Sequence, residues 1–66
     1  MTPQEIAEAA TAAAYFQRKG RLLDAADTLE TLAALVDGTA TTRQRHAMQF
    51  MVEDWRTELL TANGEG

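Results

Sequence analysis

The chain of 66 residues carries ten Asp or Glu against six Lys or Arg, a formal net charge of −4, with one His, no Cys and no Ser. A single domain of this size hides only about 60% of the surface its unfolded form exposes, so an isolated core is marginal. No disulfide or zinc-cysteine cluster is available to reinforce it. The acidic balance disfavours binding held by phosphate neutralisation, and no apolar run approaches the length of a membrane span. The N-terminus has no signal-peptide pattern, and the chain reads as cytoplasmic.

Helical signals begin at once. Thr2-Pro3-Gln4-Glu5 sets a capping hydroxyl, a proline at the first helical position and a carboxylate three residues after the cap. The first helix is expected over about 3–19, with Ile6, Ala9, Ala10, Ala13 and Phe16 inward and Gly20 ending it in a left-handed cap. Arg18 and Lys19 suit the negative end of its dipole.

A second helix over about 21–37 is expected to turn Leu22, Ala25, Ala26, Leu29, Leu32, Ala33 and Val36 inward, with Asp24, Asp27 and Thr31 opposite and Gly38 as its stop. Thr41-Thr42-Arg43-Gln44 forms a second capping box. The third helix, about 42–62, presents Met48, Met51, Val52, Trp55, Leu59 and Ala62 as an inner stripe, a reading preferred to a cofactor site. Asn63-Gly64 should stop it, leaving 65–66 as a frayed tail. No segment alternates with period two. The expected fold is all-α: a helical hairpin plus a third helix, forming one small three-helix domain over 1–64, expected to be dimeric.

Chemistry finds little footing. Without Ser or Cys the commonest nucleophiles are absent, so no catalytic residue is assigned. His46 has Thr42 and Phe50 four residues to either side, so no second ligand stands at metal spacing. The carboxylate pairs Glu5/Glu8, Asp24/Asp27 and Glu53/Asp54 read as solvated helix faces. No cofactor or metal is expected.

Binding is the better prospect. Arg43 and Arg45 occupy a helix first turn, where positive charge is mildly unfavourable. A second basic group, Arg18, Lys19 and Arg21, lies about 25 Å away along the second helix. Phe50 falls roughly 200° from Met48 at 100° per residue, beside His46. Tyr15 and Leu23 are displaced from their inner faces, as are Leu35 and Leu60. The expected partner-binding residues are therefore Phe50, His46, Arg43 and Arg45, with Tyr15 and Leu23 next. The partner is expected to be a protein, a second copy of the chain included, rather than nucleic acid.

The stretch Lys19-Gly20-Arg21-Leu22-Leu23-Asp24-Ala25-Ala26 resembles a signature of the ANR negative regulators of AraC-type activators and the related PerC-like proteins of bacteria and phages. There a helix ends in glycine, and an alanine pair follows at the fifth and sixth positions with a large apolar residue between. Gly20, Leu23 and Ala25-Ala26 occupy those places, within a similarity covering about residues 9 to 52. The tryptophan these families commonly carry after the alanine pair is replaced by residues such as Leu29, and their terminal cysteine is missing. The resemblance implies an inhibitor or modulator that binds a transcription activator through its helices. A small dimeric DNA-binding protein and a phage assembly component are the alternatives.

Overall fold

The computed structural model describes residues 2–64, the side chains of 62–64 excepted, and consists of three helices. They are α1 (Pro3–Arg18), α2 (Leu22–Asp37) and α3 (Thr42–Gly64), packed in a bundle with extents of 40 × 22 × 19 Å. Every pair of helices is in contact, and α1 and α2 make the most extensive pairing. The inward place expected for Ala62 and the expected fraying of 65–66 lie outside the described residues.

Both capping boxes form. The Glu5 backbone N–H donates to Thr2 Oγ1 at 3.2 Å, and the Thr2 N–H donates to Glu5 Oε1 at 3.1 Å. Thr41 and Gln44 repeat this at the start of α3, at 3.1 and 2.9 Å. Each box satisfies backbone donors that have no partner inside the helix.

Gly20 closes α1 with φ +79°, and Gly38 closes α2 with φ +77°, a region that L side chains rarely adopt. At the first closure, Gly20 N–H reaches Gln17 O at 3.1 Å and Arg21 N–H reaches Phe16 O at 2.9 Å. This paired bonding pattern reverses the chain and leaves Arg21 as the residue from which α2 starts.

The core is built from small residues around one ring. Ala9, Ala12, Ala13 and Phe16 are buried from α1, Ala25 from α2 and Met48 from α3. Tyr15, Met51 and Trp55 pack against the cluster of Ala12, Phe16 and Ala25. Alanine at a helix seam lets axes approach toward the lower end of the usual 8–10 Å range. Ala10, expected inward, is exposed, and Ala12 takes its place.

The rotation of α2 differs from expectation. Its buried residues are Ala25, Thr28 and Thr31, whereas Leu22, Leu29 and Val36 are half or more exposed and Ala26 and Ala33 also face outward. Thr31, assigned to the outer face from its polarity, is inside. Two causes account for this. Thr28 hides its hydroxyl by donating to Asp24 O at 2.7 Å, with Met51 Sδ 3.2 Å away, so a threonine can sit in the seam without an unsatisfied polar atom. Arg21 supplies the second cause, through ion pairs described next.

A candidate protein-docking surface

Arg21 ties the start of α2 to α3. Its Nε meets Asp24 Oδ2 at 2.8 Å, its Nη2 meets Asp54 Oδ2 at 2.7 Å, and its Nη1 meets Glu58. The guanidinium also lies 4.4 Å from the Phe16 ring centroid. Hydrogen bonds to Asp54 and then to Asp24 hold its pKa above the ordinary arginine value. Asp54 and Glu58 are one helical turn apart, so one planar fork reaches both. Asp24 and Asp54, expected to be solvated, are structural partners instead, and Arg21 is removed from the basic group it was expected to form with Arg18 and Lys19. An arginine with a carboxylate at i+3, in a chain that also carries Asp54 and Glu58 at i,i+4, was the available signal.

The six expected contact residues fall into separate places. Arg43, His46 and Phe50 follow one another at three and four residues on α3 and are all exposed, Phe50 at 77%. Glu53, Thr57 and Leu60 continue that outer arc. Arg45 turns away from it into a cleft of about 430 Å³ that it lines with Glu5, Leu35, Gly38, Ala40, Met48 and Gln49. Leu23, 84% exposed, stands on the first turn of α2.

Tyr15 is half-buried at the edge of the core, edge-on to Phe16 at 6.1 Å between centroids, with Lys19 Nζ 5.6 Å from its ring. Its phenol pKa is raised, first by desolvation, then by hydrogen bonding to Glu58 and that carboxylate's charge. Tyr15 is thus drawn into the α1–α3 seam, away from the Phe50 arc.

A second cleft, of about 550 Å³, runs between α1 and α3 beside Phe50, with Glu5, Glu8, Met48, Val52, Glu53 and Arg56 among its lining residues. Arg56 is paired with Glu8 across it. The cleft therefore offers an apolar floor with carboxylates at its rim. Among the described residues no cluster of three or more His, Cys, Asp or Glu could hold a metal ion, and no helix is long and apolar enough to cross a membrane.

The larger omission of the sequence reading is on α2. Leu22, Leu29 and Val36, expected inside, join Leu23, Phe50 and Leu60 as large apolar side chains left exposed among the described residues. On α2 the molecule therefore buries alanine and threonine while presenting leucine and valine to solvent. No protein-family model, curated protein or solved structure matches the chain.

Proposed function

We propose that the chain is a small, non-enzymatic regulator that acts by binding another protein through its helices. The observation that carries this reading is the exposure, among the described residues, of six large apolar side chains: Leu22, Leu23, Leu29, Val36, Phe50 and Leu60. Contiguous exposed apolar surface marks interaction sites in proteins of this kind. The acidic balance and the resemblance around Gly20 to Ala26 support a transcription activator as the protein bound, in a bacterial or phage setting.

A homodimer through α3 belongs to this reading. Antiparallel self-pairing of its outer arc about Phe50 sets Arg43 near Thr57 and His46 near Glu53 of the second copy and brings the two Phe50 rings close to the symmetry axis. Charges of both signs on this arc avoid like-charge build-up in such an isologous contact. Sedimentation velocity over a hundredfold concentration range tests it: the dimer fraction should rise with concentration and fall in Phe50→Ala, and a concentration-independent monomer removes the dimer. Binding of the regulated activator should likewise weaken in a Phe50→Ala/Arg43→Ala variant whose thermal melt is unchanged. Retained binding would remove this face as the contact.

The exposure of Arg43, Arg45 and His46 favours one alternative, a dimeric DNA-binding protein. Phosphate-driven binding must weaken steeply with salt, so duplex titrations at two salt concentrations separate the readings.

A further inference from the structure

The rotation of α2 leaves a second, ordered stripe on the outside. Leu22, Ala26, Leu29, Ala33 and Val36 are all exposed, and their spacing alternates four and three residues. That is the rhythm of a helix whose seam receives another helix, and it extends over roughly 21 Å, about four turns. Large and small residues alternate along it, so Ala26 and Ala33 form shallow holes between the knobs of Leu22, Leu29 and Val36.

Charge distinguishes the possible occupants. α2 carries Asp24, Asp27, Glu30 and Asp37 and no cation, a charge of −4 that equals the formal net charge of the whole chain. Asp24 is engaged by Arg21, while Asp27, Glu30 and Asp37 are exposed and take part in none of the ion pairs among the described residues. At 100° per residue Glu30 and Asp37 lie along one edge of the apolar stripe, and Asp27 lies further round the helix, about 140° from the stripe's centre. A second copy of α2 is a poor occupant: antiparallel pairing about Leu29 sets Glu30 near its own mate, and in either orientation two helices of charge −4 lie side by side. Like charges so placed oppose association, and α2 has no cation to offset them.

We propose that this stripe receives an amphipathic helix of another protein, one with aliphatic anchors at i, i+4, i+7 and i+11 and Lys or Arg along the flank that meets Glu30 and Asp37. This rests on the protein-binding reading and gives the foreign partner a contact on α2 in addition to the Phe50 arc. Aliphatic residues interlocking with Leu22, Leu29 and Val36 supply affinity, and the carboxylate edge supplies orientation and speed of encounter.

The test uses the full chain, ¹⁵N-labelled, titrated with a synthetic amphipathic helical peptide of about 18 residues, long enough to cover the stripe. Its aliphatic anchors follow the stated spacing and Lys occupies both flanks. The control peptide carries Glu at every Lys. Amide shifts should concentrate between Leu22 and Asp37, and affinity should fall about tenfold between 50 and 300 mM NaCl. Leu29→Lys should weaken binding at least about tenfold with an unchanged melt, as expected for a central anchor. The double variant Glu30→Gln/Asp37→Asn should lose most of the salt dependence.

Shifts centred on Phe50 would overturn the α2 assignment while leaving protein binding in place. Equal binding of the Glu peptide, or no binding of either, would overturn the proposed partner chemistry. A self-association abolished by Leu29→Lys would make the occupant a second copy and overturn the proposal.

Discussion

The two faces of α2 invert the usual relation between side-chain size and burial. The inner face is Ala25, Thr28 and Thr31, held to α1 and α3 by close approach and by Arg21; the outer face is Leu22, Leu29 and Val36, which hold nothing in the monomer. The difference shows that helix rotation follows what lets backbones approach and what satisfies polar atoms, even where this leaves the more hydrophobic side chains in water. A small domain can thereby keep the large aliphatic residues of one helix for contact with another chain.

That comparison predicts unequal costs. Phe16, 1% exposed, is the largest fully buried side chain and the ring on which Ala12, Ala25 and Arg21 converge. Phe16→Ala should cost about 3–5 kcal/mol, by lost transfer energy and the cavity left behind. A single core in a chain this small rarely supplies more than about 3–5 kcal/mol, so that loss is enough to unfold most of the population at 25 °C. Loss of ellipticity at 222 nm in the absence of urea checks it. A folded variant would mean that the alanine seam closes without its ring.

Arg21→Met comes next. Exposed ion pairs are worth little one by one, and the carboxylates here are between a third and a half exposed. One guanidinium serving three of them over an aromatic face should nevertheless be worth about 1–2 kcal/mol, because breaking it leaves neighbouring carboxylates without their shared cation. Urea midpoints at low and high salt measure this, and the difference between variant and parent should shrink with salt. A salt-independent loss would assign the effect to packing on Phe16.

Tyr15 gives the inner seam a dependence on pH that the outer stripe lacks. Its folded pKa lies above the ordinary 10.0 because desolvation and Glu58 disfavour the phenolate. The stability linked to this shift is fully present below pH 10.0 and is lost as pH rises through the folded value, since the unfolded chain releases the proton first. Melting temperatures followed from pH 8 to 11 should fall less steeply in Tyr15→Phe than in the parent. Equal slopes would remove Tyr15 as the titrating group.

Much of the fold was legible in local chemistry. Thr2/Glu5 and Thr41/Gln44 announce helix starts because capping boxes form within four residues, and Gly20 and Gly38 mark stops because a positive φ favours glycine. The outward position of Phe50 followed from its angle to Met48, a residue correctly placed in the core. The rotation of α2 was less accessible, because both of its faces carry apolar or small residues at helical spacing. Hydropathy favours the leucine stripe as the inner one, whereas the determining contacts join Arg21 to residues more than thirty positions away. The regular four-three alternation from Leu22 to Val36 was visible, but it marks a seam without saying whether the seam is filled from within the chain.

The smallest expected effect is the sharpest test of the comparison. Leu29 is the middle of the outer stripe and 50% exposed. If α2 is held by its inner face, Leu29→Gln removes apolar surface that folding only half covers, while glutamine keeps nearly the same helix propensity. Stability should then change by no more than about 0.5 kcal/mol, the scale of ordinary surface substitutions. Leu32, one turn further on and more deeply placed, is the matched control, and Leu32→Gln should cost clearly more. The two variants have the same chemistry on the same helix, so their difference isolates rotation. Equal losses would mean that α2 samples both faces in solution, with the leucine stripe entering the bundle for part of the time. A partner would then have to compete with the bundle for that stripe, and binding would become a choice between two packings of one helix.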